Sequence, residues 1–347
     1  MVEKWYDSPE LDKNQYISSR IRLARNIRKY PFPTTQTEAS AIKVIEETRA
    51  ALLRGGEDFF GTFELIDIDS KSEIDKFAYV NRHAISPEFF KHDGPKALFL
   101  RDDEKISIMV NEEDHLRLQT IFGGDNIDRV WDMITRVDDV LEKSIEYAFD
   151  RTFGYLTSCP TNIGTGIRAS YMLHLPMLEA TGEFAKLAPD IGKFGMTVRG
   201  IYGEGTEPMG SIYQISNQTT TGKSEQEIIK NLKGITSKIV EKEVYITKKM
   251  IEQNRSELED RTYRAYGILT HARKLTLKES VQLLSQVRFG FVSGLLCVKR
   301  PAQNIYSILM NVQNALMQHN CGRTLHENEA EVLRSEYIRN CLIHIPV

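Results

Sequence analysis

Residues 156–170, LTSCPTNIGTGIRAS, place a cysteine ahead of a Gly/Thr loop that runs directly into an arginine. Glycine-rich loops with available backbone amides are typical of phosphate-binding sites. A cysteine at the head of such a loop, Cys159, indicates either nucleophilic or ion-pair chemistry. The rest of the chain has to show which of these uses applies and what kind of fold carries the loop.

The composition limits the class of protein. The chain has 347 residues, 41% hydrophobic and 27% charged, which is typical of a globular protein with one large domain or two of medium size. The 45 basic and 48 acidic side chains give a formal net charge of −3. We therefore expect no direct nucleic-acid partner, and any anion site must be local.

The sequence gives no sign of export or of membrane insertion. The first residues lack the charged-then-apolar pattern of a signal peptide, and the apolar runs are too short to span a bilayer. The four cysteines show neither CxxC pairing nor metal-ligand spacing, which argues against a disulfide framework and a zinc site. We predict a cytoplasmic protein without a membrane partner or a metal site of its own.

Strand and helix patterns alternate in the first part of the chain. The runs FELIDID (63–69), ALFLRD (97–102) and ISIMVNE (106–112) are short, β-rich and bounded by turn formers or charges. Residues 130–149 carry apolar side chains at helical spacing. Residues 196–217 predict two strands joined by a Gly-rich loop. These patterns indicate an α+β domain.

The character of the sequence changes after about residue 256. Three sets of apolar residues follow a helical period there. They are Leu277, Val281 and Leu284; Ile305, Leu309, Val312 and Leu316; and Ala330, Leu333, Tyr337 and Cys341. We therefore divide the chain into an α+β domain, residues 1–255, and an all-helical domain, residues 256–347.

Two common phosphate sites do not fit. The run TTTGKSEQ contains Gly222, Lys223 and Ser224, but a P-loop needs a further glycine where this chain has Asn217. We expect Lys223 to be a surface residue at a helix start that Ser224 caps. A cysteine phosphatase loop is also excluded, because eight residues separate Cys159 from its following arginine instead of the five that the ring geometry requires.

Several arginines suggest one anion site. Arg20 and Arg22 are two residues apart, so a strand directs both side chains to one face. Arg117, Arg168 and Arg199 also stand near Gly or Ser/Thr-rich segments. Each could be an ordinary surface ion pair. Together, they suit the phosphates of a nucleoside triphosphate, which require several fork-shaped donors.

The chain resembles the guanidino phosphotransferases, the family of arginine and creatine kinases. The motifs that carry the resemblance are SSRIRLARN, NEEDHLR, LTSCPTNIGTGIRAS and VRGIYGEGTE followed by GSIYQISN, in the family's order between about residues 16 and 235. The resemblance implies a catalytic domain with an antiparallel sheet flanked by helices. It also implies ATP as the phosphoryl donor, with Mg²⁺ carried by the nucleotide.

The resemblance also implies roles for individual residues. Glu113 and Glu204 would hold the substrate guanidinium, and Cys159 would lie against it. His83 matches a family histidine that contacts adenine, although an ordinary loop histidine is the alternative. The residues implied for the nucleotide site are Ser19, Arg20, Ile21, Arg22, Leu23, His83, Arg117, Arg168, Ala169, Ser170, Tyr171, Met172, Arg199, Gly200, Ile201, Tyr202, Gly203 and Glu204. Met172 is a departure, because the metabolite kinases tend to place a histidine there.

Within this family the layout is similar to that of the bacterial protein-arginine kinases of the McsB type. The motif SSRIR begins at Ser18, so we expect this protein to lack the helical domain that precedes the motif in metabolite kinases. The runs LKESVQLLSQVRFGFVSGLL and VLRSEYIRNCL also resemble that group. This resemblance implies phosphorylation of protein arginines in a bacterial stress response. The implied partners are a zinc-binding activator, a heat-shock repressor and a Clp-type protease.

Some features leave alternatives open. Residues 330–335 keep only Glu331 and Arg334 of a regulatory motif that binds phosphoarginine, so Arg334 is either part of an allosteric site or a surface helix residue. Gly290 and Gly294 predict a close helix contact within or between chains, which includes a homodimer. The alternative functions are a free-arginine kinase and a non-catalytic adaptor that binds arginine or phosphoarginine.

Overall fold

The computed structural model describes residues 2–55, 62–90, 93–200 and 209–343. Within these residues, eight antiparallel strands form the main sheet in the order β2-β3-β4-β5-β1-β8-β10-β9, and β6 and β7 form a separate hairpin. The strands are β1 (Tyr16–Arg25), β2 (Phe63–Ile66), β3 (Ala97–Arg101), β4 (Ile106–Val110), β5 (Leu116–Gly123), β6 (Phe149–Asp150), β7 (Gly154–Tyr155), β8 (Ile167–His174), β9 (Met196–Arg199) and β10 (Ile212–Asn217). The predicted α+β class is confirmed.

The helices of the described residues cover the sheet and continue beyond it. They are α1 (Glu38–Gly55), α2 (Glu73–Asn81), α3 (Ile127–Glu142), α4 (Pro176–Ala180), α5 (Glu183–Lys193), α6 (Glu225–His271), α7 (Leu277–Ser293), α8 (Ile305–Asn311), α9 (Asn314–Cys321) and α10 (Glu327–Leu342). Ser224 caps α6 by accepting a hydrogen bond from the Glu227 amide at 3.3 Å, as its sequence position predicts. None of these helices is both long enough and apolar enough to cross a membrane.

The two faces of the sheet have different chemistry. On one face, apolar strand residues such as Ile21 and Leu23 share a core with α1, α3 and the first half of α6. On the other face, polar and basic residues lie at the centre, and apolar residues such as Met172 and Ile212 lie towards one end. That end packs against the C-terminal helices. The C-terminal helices therefore share a core with the sheet.

The sequence predicted one helix where the structure has two. The apolar period from Ile305 to Leu316 is interrupted, because Val312 ends α8 and Gln313 adopts an extended conformation before α9. The main-chain oxygen of Val312 is free of the helix ladder there, and the Arg334 Nε donates a hydrogen bond to it at 3.0 Å. The buried Arg334 side chain thus supplies the hydrogen bond that the Val312 carbonyl lacks where the helix breaks.

Helix α6 crosses the predicted domain boundary at residue 255. The backbone leaves the helical region at Asn254, with φ of −139° and ψ of 39°, so the helix is kinked one residue before that boundary. The division into residues 1–255 and 256–347 stays a prediction, since both parts contribute to one core.

Contacts and backbone geometry within this chain account for Gly290 in α7 and for Gly294, which follows it. A Cβ atom on Gly290 would lie 2.8 Å from the Leu296 Cβ and 3.1 Å from the Thr262 Cβ, so Gly290 permits the close approach of α6. Gly294 has φ of +74° and ends α7 in the left-handed region. The homodimer stays a prediction to which this glycine pair adds no support.

Candidate active site

Strand register places the candidate arginines on one face of the sheet. Arg22 lies opposite Arg168 on β8, and Ala24 lies opposite Arg117 on β5. Gln214 on β10 lies opposite both Met172 and Arg199. Because directly opposed residues share a face and alternate residues return to it, the same face carries a defined set of arginines. These are Arg20, Arg22, Arg117, Arg168 and Arg199.

This face forms the floor of a cavity of about 480 Å³. Glu113 and Cys159 lie at the same cavity, and so does His83. The residues that line it include Arg20, Arg22, Leu23, His83, Glu113, Arg117, Gln119, Cys159, Arg168, Arg199 and Gln214. The structure thus brings the five arginines together with one predicted substrate carboxylate and the loop cysteine.

The arginines at the centre of the cavity are held near like charges. Burial and the neighbouring charges of Arg117 and Arg168 lower the pKa of Arg20 to about 10. The same causes, burial first and then the charge of Arg20, lower the pKa of Arg22 well below its usual value. The Arg22 Nε is buried and has no hydrogen-bond partner among the described residues. An anion bound here would offset both the cost of desolvating these guanidinium groups and the repulsion between them.

Neutral side chains position two of these arginines. The Arg20 Nη2 donates to the Gln214 Oε1 at 2.8 Å, and the Arg168 Nη2 donates to the Ser216 Oγ at 3.2 Å. Amide and hydroxyl acceptors orient a guanidinium without neutralising it. The sequence interpretation missed Gln214, although its period-two position on β10 is a signal that could have found it.

Glu112 is the second residue that the sequence interpretation missed. Its Oε2 accepts a hydrogen bond from the Arg117 Nη1 at 2.6 Å, and its Oε1 accepts one from the Ser86 hydroxyl. Burial opposes ionisation of Glu112, but the charge and hydrogen bond of Arg117 outweigh it and lower the pKa of this carboxyl group. In the pair Glu112-Glu113, the first residue therefore fixes an arginine and the second lines the cavity.

The cysteine lies at the edge of the cavity. Cys159 precedes a short 3-10 turn, Pro160–Asn162, and its Sγ lies 3.0 Å from the Thr161 Oγ1. The predicted partner carboxylate Glu204 lies outside the described residues, as do Ile201, Tyr202 and Gly203. Their roles stay predictions.

Some residues implied for the nucleotide site point away from the cavity. The Ser19 Oγ donates to the Gly124 carbonyl at 2.7 Å, and the Tyr171 hydroxyl donates to the Asp125 Oδ1 at 2.6 Å. Ile21 and Ala169 belong to the core on that opposite face. Only the main chain of these four residues could face a nucleotide.

The other implied residues near the sheet have separate places. Ser170 is buried on the arginine face, opposite Arg20. Gly200 is buried directly after β9. Met172 lies outside the cavity lining, because the Tyr306 hydroxyl from α8 covers it at 3.3 Å from the sulfur.

His83 has features of both sequence interpretations, a histidine that contacts adenine and an ordinary histidine bonded within the protein. It lines the cavity, and its Nε2 lies 3.1 Å from the Tyr306 hydroxyl. Burial, together with the charges of Arg20 and Arg22, lowers the pKa of His83 to about 3. The imidazole is therefore neutral at neutral pH, which suits contact with an uncharged base more than with a phosphate.

The candidate regulatory residues lie elsewhere. Arg334 is only 2% exposed, so it is not the surface residue that one interpretation expected. Its guanidinium donates to the carbonyls of Val312 and Leu275 and to the Asn314 Oδ1, at 3.0, 2.9 and 2.6 Å. Glu331 pairs with Lys274 at 3.3 Å. The allosteric role stays a prediction, and protein acceptors already use these donors.

Comparison with known proteins identifies the family. Residues 43–246 match the C-terminal catalytic domain of the ATP:guanido phosphotransferases, and residues 255–346 match the C-terminal domain of the protein-arginine kinase McsB. The chain belongs to the ATP:guanido phosphotransferase family. It is therefore a kinase by class, and the predicted membership is confirmed.

Relatives in this family extend over nearly the whole chain. The protein-arginine kinase of Caldanaerobacter subterraneus subsp. tengcongensis is 44% identical over 329 residues, which are 95% of this chain and 97% of that protein. The protein-arginine kinase of Brevibacillus brevis is 40% identical over 338 residues, 97% of this chain and 94% of that protein.

Solved structures of guanidino kinases share the fold. Lombricine kinase matches with a TM-score of 0.58 at 23% identity, over 73% of this chain and 72% of that chain. The substrate-free duplicated taurocyamine kinase from Schistosoma mansoni matches with a TM-score of 0.59 at 23% identity, over 79% of this chain and 40% of that chain. At this identity the likeness confirms the predicted fold and says nothing about the substrate.

Proposed function

We propose that the protein transfers the γ-phosphoryl group of ATP to the guanidino group of arginine side chains in proteins. The observation that carries this proposal is the cavity in which five arginines lie together with Glu113 and Cys159. The full-length relatives named protein-arginine kinase favour a protein substrate over free arginine.

The arginine cluster accounts for the phosphoryl donor. Arg20 is buried and Arg22 half-buried, both near like charges. Neither lies within ion-pair distance of a carboxylate among the described residues, and Glu112, whose charge acts on Arg22, is itself paired with Arg117. The phosphates of ATP supply the missing negative charge and accept hydrogen bonds from several guanidinium groups at once. Because phosphoryl transfer depends mainly on positioning and electrostatic stabilisation, fixed donors around the γ-phosphate lower its barrier.

Glu113 accounts for activation of the acceptor. A protonated guanidinium is not nucleophilic, because its lone pairs are delocalised or bonded to protons. A carboxylate at the cavity holds the guanidinium and accepts a proton as the new N–P bond forms and the bond to the ADP oxygen breaks. Glu204 is the second candidate for this step. Cys159 would orient the same group from the side.

The donor is proposed to be the magnesium complex of ATP. Among the described residues, no group of three or more His, Cys, Asp or Glu side chains is placed to hold a metal ion. Phosphate oxygens and water are the ligands that Mg²⁺ commonly keeps in kinase sites. We therefore treat the ion as part of the substrate.

The test is a substitution of the proposed base. We expect Glu113→Gln to lower phosphorylation of protein arginine by about 10²–10⁴-fold, because a general base contributes that much, while ATP still binds. Glu257→Gln on the exposed side of α6 is the matched control and should keep full activity. Mass spectrometry under conditions that preserve the acid-labile N–P bond measures the product.

Two results would overturn the proposal. Transfer by Glu113→Gln at the rate of the Glu257→Gln control would exclude the assigned base. Turnover of free arginine without any transfer to protein would favour the alternative metabolite kinase.

The cellular setting is part of the same proposal. A cytoplasmic enzyme of this kind would mark damaged or regulatory proteins, with a zinc-binding activator, a heat-shock repressor and a Clp-type protease as partners. Support for these partners comes from the resemblance to the McsB type and from the C-terminal domain match. Detection of phosphoarginine on proteins that copurify with a Clp-type protease, lost with Glu113→Gln, would test the link.

A further inference from the structure

Asp114 joins the two segments that carry the candidate catalytic groups. It follows Glu113 directly, but it is only 2% exposed and points into the protein. Its Oδ1 accepts a hydrogen bond from the Ser158 main-chain amide at 2.6 Å, and Ser158 directly precedes Cys159. One carboxylate oxygen therefore connects the Glu113 turn to the Cys159 loop.

Asn26 completes this connection from the end of β1. Its Nδ2 donates to the Asp114 Oδ1 at 2.7 Å and to the Leu156 carbonyl at 3.1 Å. Its Oδ1 accepts from the main-chain amide of His115 at 2.8 Å. Asn26 and Asp114 thus hold both ends of the short segment that leads into Cys159.

The surroundings of the connection are fixed as well. The His115 Nδ1 accepts from the Ile27 amide at 3.0 Å, and its Nε2 donates to the Pro31 carbonyl at 2.9 Å. Burial is the main cause that lowers the pKa of His115 to about 4, so the ring stays neutral and keeps this tautomer near neutral pH. The Thr157 hydroxyl donates to the Cys159 carbonyl at 2.8 Å.

We propose that Asp114 is a positioning residue for phosphoryl transfer, which holds the Cys159 loop at a fixed place relative to Glu113. This inference rests on the proposed function, because it concerns the same cavity. Asp114 is not among the residues that line the cavity. Without its acceptor, the Ser158 amide and the Asn26 side chain lose a buried partner, and the loop is free to move. A misplacement of about 1 Å near reacting groups can cost about 10²-fold in rate.

Kinetics of two substitutions separate positioning from general damage. We expect Asp114→Ala to lower kcat by about 10²-fold while the KM for ATP changes little, because the arginine cluster is intact. Asp114→Asn keeps an oxygen acceptor at the same place and should restore most of kcat. In Asp114→Ala combined with Cys159→Ser, the two losses should be less than multiplicative, because both act through one loop.

A second measurement does not depend on kinase activity. Alkylation of Cys159 in the full-length protein, followed by peptide mass spectrometry, should become several-fold faster in Asp114→Ala. Cys297 and Cys321 are exposed and should react at unchanged rates in the same sample. Asp12→Ala removes another buried aspartate, which accepts from the Ile305 amide and pairs with Arg288, and should leave the Cys159 rate unchanged.

Each outcome decides the matter. Unchanged Cys159 alkylation in Asp114→Ala, or no rescue by Asp114→Asn, would overturn the positioning role. If the alkylation contrast is seen but the wild-type protein transfers no phosphate to arginine, the connection is correct and the proposed function fails.

Discussion

Arg22 in the cavity and Arg334 in the helical region that begins at Glu225 are satisfied in opposite ways. Arg334 in α10 donates to two main-chain carbonyls and a side-chain oxygen. Arg22 in the cavity lies near three other arginines and within the field of Glu112, and its buried Nε has no hydrogen-bond partner in the described part of the chain. A buried guanidinium nitrogen with neither a hydrogen-bond acceptor nor a paired carboxylate indicates a ligand, whereas a guanidinium with saturated donors indicates packing.

The same contrast holds for buried glutamates. Glu112, next to the cavity residue Glu113, is paired with Arg117, and this pair lowers the pKa of the Glu112 carboxyl group despite burial. Glu243 in α6 has backbone donors but no described cation within ion-pair distance, and burial raises the pKa of its carboxyl group to about 7. At Glu112, the negative charge is balanced by an arginine of the same protein. At Arg22, the positive charge is available to a ligand. At Glu243, burial favours the protonated, uncharged form of the carboxyl group.

The largest effect is expected from removing the unsatisfied arginine. Arg22→Ala should lower kcat/KM by about 10³–10⁵-fold, because an arginine that reaches the transferring phosphoryl group contributes that much. Stability should be unchanged or slightly higher, since a buried like charge is lost. Steady-state kinetics and urea unfolding of the same sample measure the two effects.

Arg255→Ala is the control for this prediction. Arg255 is exposed on α6 and pairs with Glu259 at 2.8 Å, so its removal should alter neither activity nor stability by much. An Arg22→Ala enzyme that keeps activity within tenfold of this control would show that the missing acceptor does not identify the phosphate site.

The opposite pattern is expected for the saturated arginine. Arg334→Met should lower the free energy of unfolding by about 3–5 kcal/mol, because it leaves several buried acceptors without donors. The kcat of the folded fraction should be unchanged. Arg323→Met, at an exposed arginine that pairs with Glu329, should change stability by less than about 1 kcal/mol.

A response to phosphoarginine that depends on Arg334 would contradict the assignment of Arg334 to helix packing. If Arg334→Met keeps its urea midpoint but loses a response to added phosphoarginine, Arg334 belongs to the predicted allosteric site rather than to the packing of α8, α9 and α10.

Sequence alone could predict the arginine face but not its geometry. A spacing of two between Arg20 and Arg22 is enough to place both on one side of a strand. The alignment of Arg22 with Arg168 depends on register between distant segments, which the chain reveals only when folded. The resemblance to the family supplied that long-range information, which local sequence patterns do not contain.

Other parts of the structure depend on tertiary contacts. The apolar period around Val312 predicts a continuous helix, and the break becomes stable only because Arg334 from α10 reaches the freed carbonyl. Glu112 and Glu113 are identical in type and adjacent in sequence, so no local pattern distinguishes the one that binds Arg117 from the one that lines the cavity.

The smallest effect concerns Glu243 and pH. Its carboxyl oxygens accept from the amides of Met177 and Leu178 at the start of α4, at 2.9 and 2.7 Å, yet burial dominates and raises its pKa from 4.5 to about 7. The folded protein therefore binds this proton more tightly than the unfolded chain. The stabilisation is complete below about pH 4.5 and is lost as the pH rises through about 7.

Urea unfolding at several pH values between about 5 and 8 tests this sign. The difference in unfolding free energy between the wild type and Glu243→Gln should shift against the wild type by about 1–3 kcal/mol over that range, because each unit of pKa difference corresponds to about 1.4 kcal/mol. Subtraction of the variant removes the contribution of other titrating groups. A difference that stays constant, or that moves in favour of the wild type as the pH rises, would show that the two amide donors outweigh burial and keep Glu243 ionised. In that case a carboxylate can be balanced by backbone dipoles alone, and the absence of a cation would no longer distinguish Glu243 from Glu112.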